Sequence, residues 1–340
     1  MMTGLIQRTA LVTGATGCLG THLTRRLAAS GFLVTALVRD RRRAAHLAAM
    51  PGVELREGDI NDPHLIDEAI SGTDQVYHTA ACVHAPPGTS ESDFFRVNVE
   101  GTRCLVEAAI RHRVSSFVFY SSVAVYPPSD DVADEESPVD PPTHYGQSKL
   151  AAEKIVLEGG ARSTVRMTVL RLPVIYGEGD RGNVAALIDA IRRRRYLIIG
   201  DGNNEKSMVA VGNVVDASLT VAEDVRSAGR IYIVADDRPY SQREIAQTIA
   251  ELLGDSRKIH RLPLLPALVL GMTADIAAGL LGRSLPISLD RVRKLAQNTR
   301  FNSSRIIREL GIRPRIGLRH GLREEVAERR ERVVPSLSRK

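Results

Sequence analysis

Residues 13–20, TGATGCLG, follow a short apolar run at 8–14 and open a stretch of helical spacing over 18–31. Gly14, Gly17 and Gly20 therefore stand in a turn between a strand and a helix. Glycine there lets the backbone pass close to a pyrophosphate, and the helix N-terminus behind it favours negative charge. Such an opening leads into a crossover and a second, parallel strand, so it limits the possible folds more than any bulk property does. The pattern recurs. Strands are predicted over 32–40, 53–59, 75–81, 115–126 and 165–177, with a basic helix after the first of these and further helices over 63–70 and 98–113.

This alternation predicts an α/β chain whose parallel sheet is doubly wound, a Rossmann fold. Beyond Tyr176 the pattern changes to helices at 183–194, 213–224, 241–254, 265–281 and 319–332, with short strands near 197–199 and 230–234. Residues 1–176 are read as the dinucleotide-binding domain and 177–330 as a smaller, mainly helical substrate-binding part with segments returning to the sheet. Residues 331–340 form a basic tail. The segment 126–145, rich in proline and acid, predicts an ordered loop over a cleft.

Composition removes several classes of function. The net charge of +6 is concentrated in Arg192 to Arg195 and near the C-terminus, but aromatics are 4% and Trp is absent, so no nucleic-acid partner is expected. Cys18, Cys82 and Cys104 lack paired spacing, which predicts neither disulfides nor zinc. His78 and His84 likewise show no metal-ligand spacing. The N-terminus lacks a charged-then-apolar leader, and a cytoplasmic location is expected. The apolar stretch 262–282 is interrupted by Pro263, Pro266 and Asp275, which predicts a buried or pocket-covering helix and no membrane span.

One pentapeptide carries chemistry. In YGQSK, Tyr145 and Lys149 are four residues apart and share a helix face, and no other Tyr-x-x-x-Lys occurs in the chain. Tyrosine ordinarily titrates near ~10. A neighbouring ammonium and a cationic nicotinamide are expected to lower that value and make the phenol a usable base. Ser121 and Ser122 end the preceding strand, where a hydroxyl can hold a substrate oxygen. The set can move a proton on and off an alcohol as hydride is exchanged with NAD(P). Arg39 stands where a ribose-reading acid would otherwise end the second strand, which favours NADP over NAD, with Asp40 beside it keeping NAD open. Asp59 suits either the adenine amino group or a helix cap.

With these residues in place the chain resembles the extended short-chain dehydrogenase/reductases, in the nucleotide-sugar epimerase and reductase branch. TGATGCLG, GDI, HTAA, VNVEGT, SSVAVY, YGQSK and RLPVIYGEGD occur in the family's order, over about residues 8–328. The resemblance implies Tyr145 as catalytic acid or base, Lys149 as its partner and ribose anchor, Ser122 as holder of the substrate oxygen, and Asn98 as a support. It implies a cofactor cradle of Gly14, Thr16, Gly17, Cys18, Leu19 and Gly20, with Asp59, Ile60, Thr79, Ala80, Ala81, Ser121 and Pro173 along it. Lys206, Asn183 and Arg300 are the implied substrate contacts. Val123 and Ala124 replace the acidic pair of sugar dehydratases, which disfavours dehydration.

The implied activity is a 4-epimerase or 4-keto reductase on a nucleoside-diphosphate sugar, in a homodimer formed through the helix 98–113 and the helix beginning near Tyr145. An NADP-dependent hydroxysteroid-type or aldehyde/ketone reductase is the alternative, suggested by Arg39, VGNVVDA and the apolar helix at 265–281. A dinucleotide-sensing protein without activity is a third reading, opposed by the retained tyrosine and lysine.

Overall fold

The computed structural model describes residues 7–83, 90–255, 257, 259–281 and 288–333. Seven parallel strands form one sheet, in the order Ile231–Ile233, Arg166–Leu172, Ser116–Ser122, Gln75–His78, Thr9–Thr13, Leu33–Val38, Val53–Glu57. The chain runs outward one way from Thr9–Thr13 and then returns to its other side at Gln75–His78. Crossover connections diverge there, leaving a crevice at the carboxyl ends of the strands.

Side chains alternate across the sheet, so each strand feeds two cores. Ala10 and Val12 join Leu19, Leu23 and Leu27 of the helix Cys18–Ala29 on one face. Leu11 joins Ile66, Leu105, Val106 and Val156 on the other, beneath the helices Pro63–Ile70, Gly101–Arg111 and His144–Ala161. Burying each such aliphatic side chain contributes about 1.5–3 kcal/mol. The C-terminal half does return to this framework: Val214 and Val215, on the helix Val211–Glu223, pack in the first core, and Ile231–Ile233 is the edge strand.

Three boundaries differ from the sequence expectations. The run 165–177 is two strands, not one: Arg166–Leu172 lies in the main sheet, while Val174–Tyr176 pairs with Met208–Ala210 elsewhere. Pro173 separates them, since proline has no N–H to continue a ladder. The strand expected over 115–126 ends at Ser122, whose hydroxyl accepts from Ala124 N in a short 3-10 turn. The helix expected over 98–113 is preceded by helical turns at Glu91–Phe95 and a wider π-type turn at Arg96–Glu100.

The apolar segment also departs from expectation. It forms the helix Leu264–Leu281, which is only half buried: Ala267 is fully buried while Leu265 is 76% exposed. No helix among the described residues is long and apolar enough to cross a membrane. The 126–145 segment is an ordered loop whose strand Val132–Ala133 pairs with Arg300–Phe301.

Candidate active site

A cleft of about 780 Å³ opens at the carboxyl ends of the strands. The first turn forms its floor. Gly14 has φ +66°, and a Cβ on it would lie 2.7 Å from Ala80 N. A Cβ on Gly20 would lie 2.3 Å from Gly14 O. Only glycine fits either position, and Thr16, Gly17, Cys18 and Leu19 line the cleft between them. Thr79 and Ala81 join this wall, Thr79 anchored by its hydroxyl to Thr13 O at 2.7 Å.

Ser121, Ser122, Tyr145, Lys149 and Pro173 line the same cleft. Thr143 caps the helix His144–Ala161 by accepting from Gly146 N, which fixes Tyr145 in its first turn. Lys149 follows one turn later, its ammonium 4.2 Å from the Phe119 ring. The Ser122 hydroxyl and the Tyr145 phenol both line the cleft. Burial pushes the Tyr145 pKa up, and the neighbouring Ser122 hydroxyl only partly opposes this. The expected lowering by Lys149 is therefore not found; the balance at Tyr145 is upward. Burial acts on Lys149 as well, bringing it down to about 7 against the opposing pull of the Glu153 carboxylate. Desolvation disfavours whichever form is charged, so both groups move toward neutrality.

Asn98 lines no part of the cleft but ties its parts together. Its amide donates to Ser148 Oγ at 2.9 Å and to Cys82 O at 3.1 Å, while its oxygen accepts from Cys82 N at 2.7 Å. It joins the π-type turn to the helix carrying Tyr145, a positioning role. A second tether is buried: Arg171 donates to Glu153 Oε1 at 3.0 Å and Oε2 at 2.7 Å, and to the Tyr126 hydroxyl at 2.7 Å. Sequence reasoning missed both Arg171 and Glu153.

Other expected residues lie at the cleft's edge or away from it. Arg39 is exposed at the carboxyl end of the second strand. Asp40 accepts from Arg42 N at 2.9 Å and so caps its own turn. The Asp59 carboxylate accepts from Asn61 N and Nδ2, which with Arg96 and Arg39 hold its pKa down. Ile60 fills the space beside Gly101, where a Cβ would lie 2.3 Å from its Cδ1. Ala80 presents its backbone to Gly14. Lys206 is not among the cleft-lining residues; its ammonium donates to Lys294 O at 3.0 Å and Gln297 O at 2.6 Å, and burial brings its pKa to about 8. VGNVVDA is structural too: Asn213 donates to Asp236 and accepts from Arg315 N and Ile316 N.

Asn183 and Arg300 do line the cleft. Arg300 Nη1 lies 3.5 Å from Glu205 Oε2, while its Nε is buried without a hydrogen-bond partner among the described residues. Arg181, two positions before Asn183, lines it as well and has no ion-pair partner among the described residues. The available signal was RGN at the start of a helix, of which only the asparagine was read. His78 is buried between Thr13 Oγ1 at 2.8 Å and Thr102 Oγ1 at 2.9 Å; burial brings its pKa to about 3. It is a neutral core residue, and His84 lies outside the described residues. No cluster of His, Cys, Asp and Glu among the described residues could hold a metal.

The donor set fits a nicotinamide dinucleotide. The glycine turn leaves room that any Cβ would fill, and the Ser121 hydroxyl is buried beside the cleft without a partner among the described residues. Comparison with known proteins agrees. A model of the NAD dependent epimerase/dehydratase family matches residues 10–235. The N-acetyl-alpha-D-glucosaminyl-diphospho-ditrans,octacis-undecaprenol 4-epimerase of Escherichia coli O157:H7 is 30% identical, over 87% of this chain and 88% of that protein. Sterol demethylase protein B of Methylococcus capsulatus is 34% identical, over 95% of this chain and 99% of that protein. MoeE5, solved in complex with UDP-glucose and NAD, is 27% identical with a TM-score of 0.74, covering 96% of this chain and 99% of its own.

Proposed function

This chain belongs to the NAD dependent epimerase/dehydratase family, and from that membership we propose that it exchanges hydride at C4 of a diphosphate-linked sugar. A nucleoside diphosphate is the first carrier to test, with the enzyme acting as a 4-epimerase or 4-keto reductase. The observation that carries this reading is the presence, in one cleft, of Ser122, Tyr145, Lys149 and the two cations Arg181 and Arg300.

A bound dinucleotide supplies the hydride donor or acceptor. Ser122 holds the substrate oxygen. Tyr145, kept protonated by burial, gives its proton to a keto oxygen and takes one back when an alcohol is oxidised. Lys149, on the same wall, favours the phenolate left behind when it is itself protonated. Arg181 and Arg300 hold the diphosphate by charge-assisted hydrogen bonds. Val123 and Ala124 line the cleft where the resemblance would put the acidic pair of a dehydratase, which disfavours dehydration. Exposed Arg39, with Asp40 engaged in its cap, supports NADP over NAD.

A second reading draws on the apolar part of the wall, where Pro127, Pro128, Val174 and Ile175 join Val123 and Ala124. It is a hydroxysteroid-type ketone reductase. Mass spectrometry of dinucleotide retained by the purified protein, followed by a binding panel, separates the two. Retained NAD and binding of UDP-, TDP- or GDP-sugars support the epimerase, and NADPH with the same sugars supports the 4-keto reductase. Tight binding of a sterol ketone with none of the sugars overturns the leading reading.

A further inference from the structure

The helix Leu264–Leu281 is apolar on both sides, yet among the described residues only one side is packed. Ala267 and Leu268 pack with Ile199 and with Val292 of the helix Leu289–Ala296. Gly271 permits the close approach, since a Cβ there would lie 2.9 Å from Leu289 Cα. The opposite side carries Leu265, Val269, Met272 and Ile276, which are 76%, 55%, 50% and 59% exposed. Their spacing of four, three and four residues puts them in one stripe along the helix. Asp275, the acid within the helix, caps the neighbouring helix by accepting from Leu289 N at 3.0 Å.

Cations stand around this surface. Arg261 precedes the helix in the strand Arg261–Leu262. Arg293 lies on the helix Leu289–Ala296, which packs against Leu264–Leu281. Both are exposed and neither has an ion-pair partner among the described residues.

We infer that this helix docks on an anionic membrane surface, with the stripe in the headgroup region and the arginines against lipid phosphates. A contiguous exposed apolar face marks an interaction site, and a cationic rim selects an anionic partner. The helix is taken to lie in the surface, since no helix among the described residues is long and apolar enough to cross a membrane. A second copy is a poor occupant, since a two-fold contact through the stripe would set arginines against arginines.

Docking also places the cleft. The helix Leu289–Ala296 runs directly into Gln297, Asn298, Thr299 and Arg300, which line it. Its mouth is thereby held at the bilayer, within reach of a sugar whose diphosphate is carried by a lipid. That substrate class rests on the reading of Arg181 and Arg300 as diphosphate contacts; the docking does not.

The test is co-sedimentation of the full chain with vesicles of phosphatidylcholine, with and without phosphatidylglycerol. The wild type should bind the anionic vesicles at least about tenfold better than the neutral ones. Leu265→Asp, Val269→Asp and Met272→Asp together should abolish that binding while leaving the melting temperature and dinucleotide binding unchanged. Should the triple variant fail to fold, Arg261→Glu with Arg293→Glu should still cut anionic-vesicle binding severalfold. Wild-type protein that ignores anionic vesicles overturns the inference, as do variants that bind as well as wild type. So does sedimentation velocity in which the triple variant turns a dimer into a monomer, because the stripe would then join two copies. Vesicle binding without affinity for any diphosphate-linked sugar leaves docking standing and removes the substrate reading alone.

Discussion

Tyr145 and Lys149 were legible as a pair because helical periodicity alone puts residues four apart on one face. The direction in which their pKa values move was not legible. A charge partner can be read from spacing, but desolvation depends on Phe119, Ser122 and the surrounding wall, which only the fold assembles. Two substitutions separate the roles. Tyr145→Phe keeps the ring and the helix, so dinucleotide binding should survive while turnover falls by roughly 10²- to 10⁴-fold, the loss of a positioned acid–base group. Lys149→Met should also lose activity, yet it should melt higher than wild type at neutral pH. The folded pKa of Lys149, about 7, lies below its ordinary value of 10.5, so between those values the unfolded chain binds more protons than the native one. Wild-type stability therefore rises with pH across that window, and burying the lysine costs most at and below about pH 7. The advantage of Lys149→Met should be full there and vanish as pH climbs toward 10.5. Thermal melts at several pH values check this, and an advantage that grows with pH would show that the amine is not desolvated.

The element that matters most is the helix His144–Ala161, held at three points: the Thr143 cap, the Asn98–Ser148 bond and the Glu153–Arg171 pair. Its existence was legible from spacing; its Thr143 cap was not read. Two of the tethers were not legible, because Asn98 and Ser148 are 50 residues apart, Glu153 and Arg171 are 18 apart, and no local pattern joins either pair. The break at Pro173 could have been read, since a proline inside a predicted strand argues against its continuity. The Glu153–Arg171 pair is nearly fully buried, at 1% and 3% exposure, so removing one member leaves an uncompensated charge in the core. Arg171→Met should cost about 3–5 kcal/mol, whereas Arg171→Met with Glu153→Leu should recover most of that loss. Urea unfolding of the two variants decides it. A double variant no more stable than the single one would mean that Tyr126 and its neighbours, not the ion pair, hold the helix to the strand.

At the scale of the whole molecule, the fold was legible because the strand–helix alternation leaves few topologies once crossovers are right-handed. The surface was not, because an apolar helix reads the same whether one face or both are covered. That uncertainty bears on assembly. In the homodimer that the family resemblance implies, the helices Gly101–Arg111 and His144–Ala161 would meet their copies. Their large apolar side chains, Leu105, Val106 and Val156, are buried against the sheet. Charged pairs stand on the outward side, Arg103 with Glu100 and Arg162 with Glu107, beside the half-buried Ile110, Ile155 and Leu157. A contact made from such faces depends on charge pairing at the rim and weakens as salt shortens the Debye length from ~10 Å at 0.1 M to ~3 Å at 1 M. Light scattering at micromolar concentration should therefore show a dimer at low ionic strength that falls toward the monomer mass as sodium chloride is raised. A monomer at every salt concentration refutes the dimer outright. A dimer indifferent to salt would instead require an apolar contact. Among the described residues the exposed face of Leu264–Leu281 is the surface able to make one, so that outcome would assign the stripe to a second copy and take it away from the membrane.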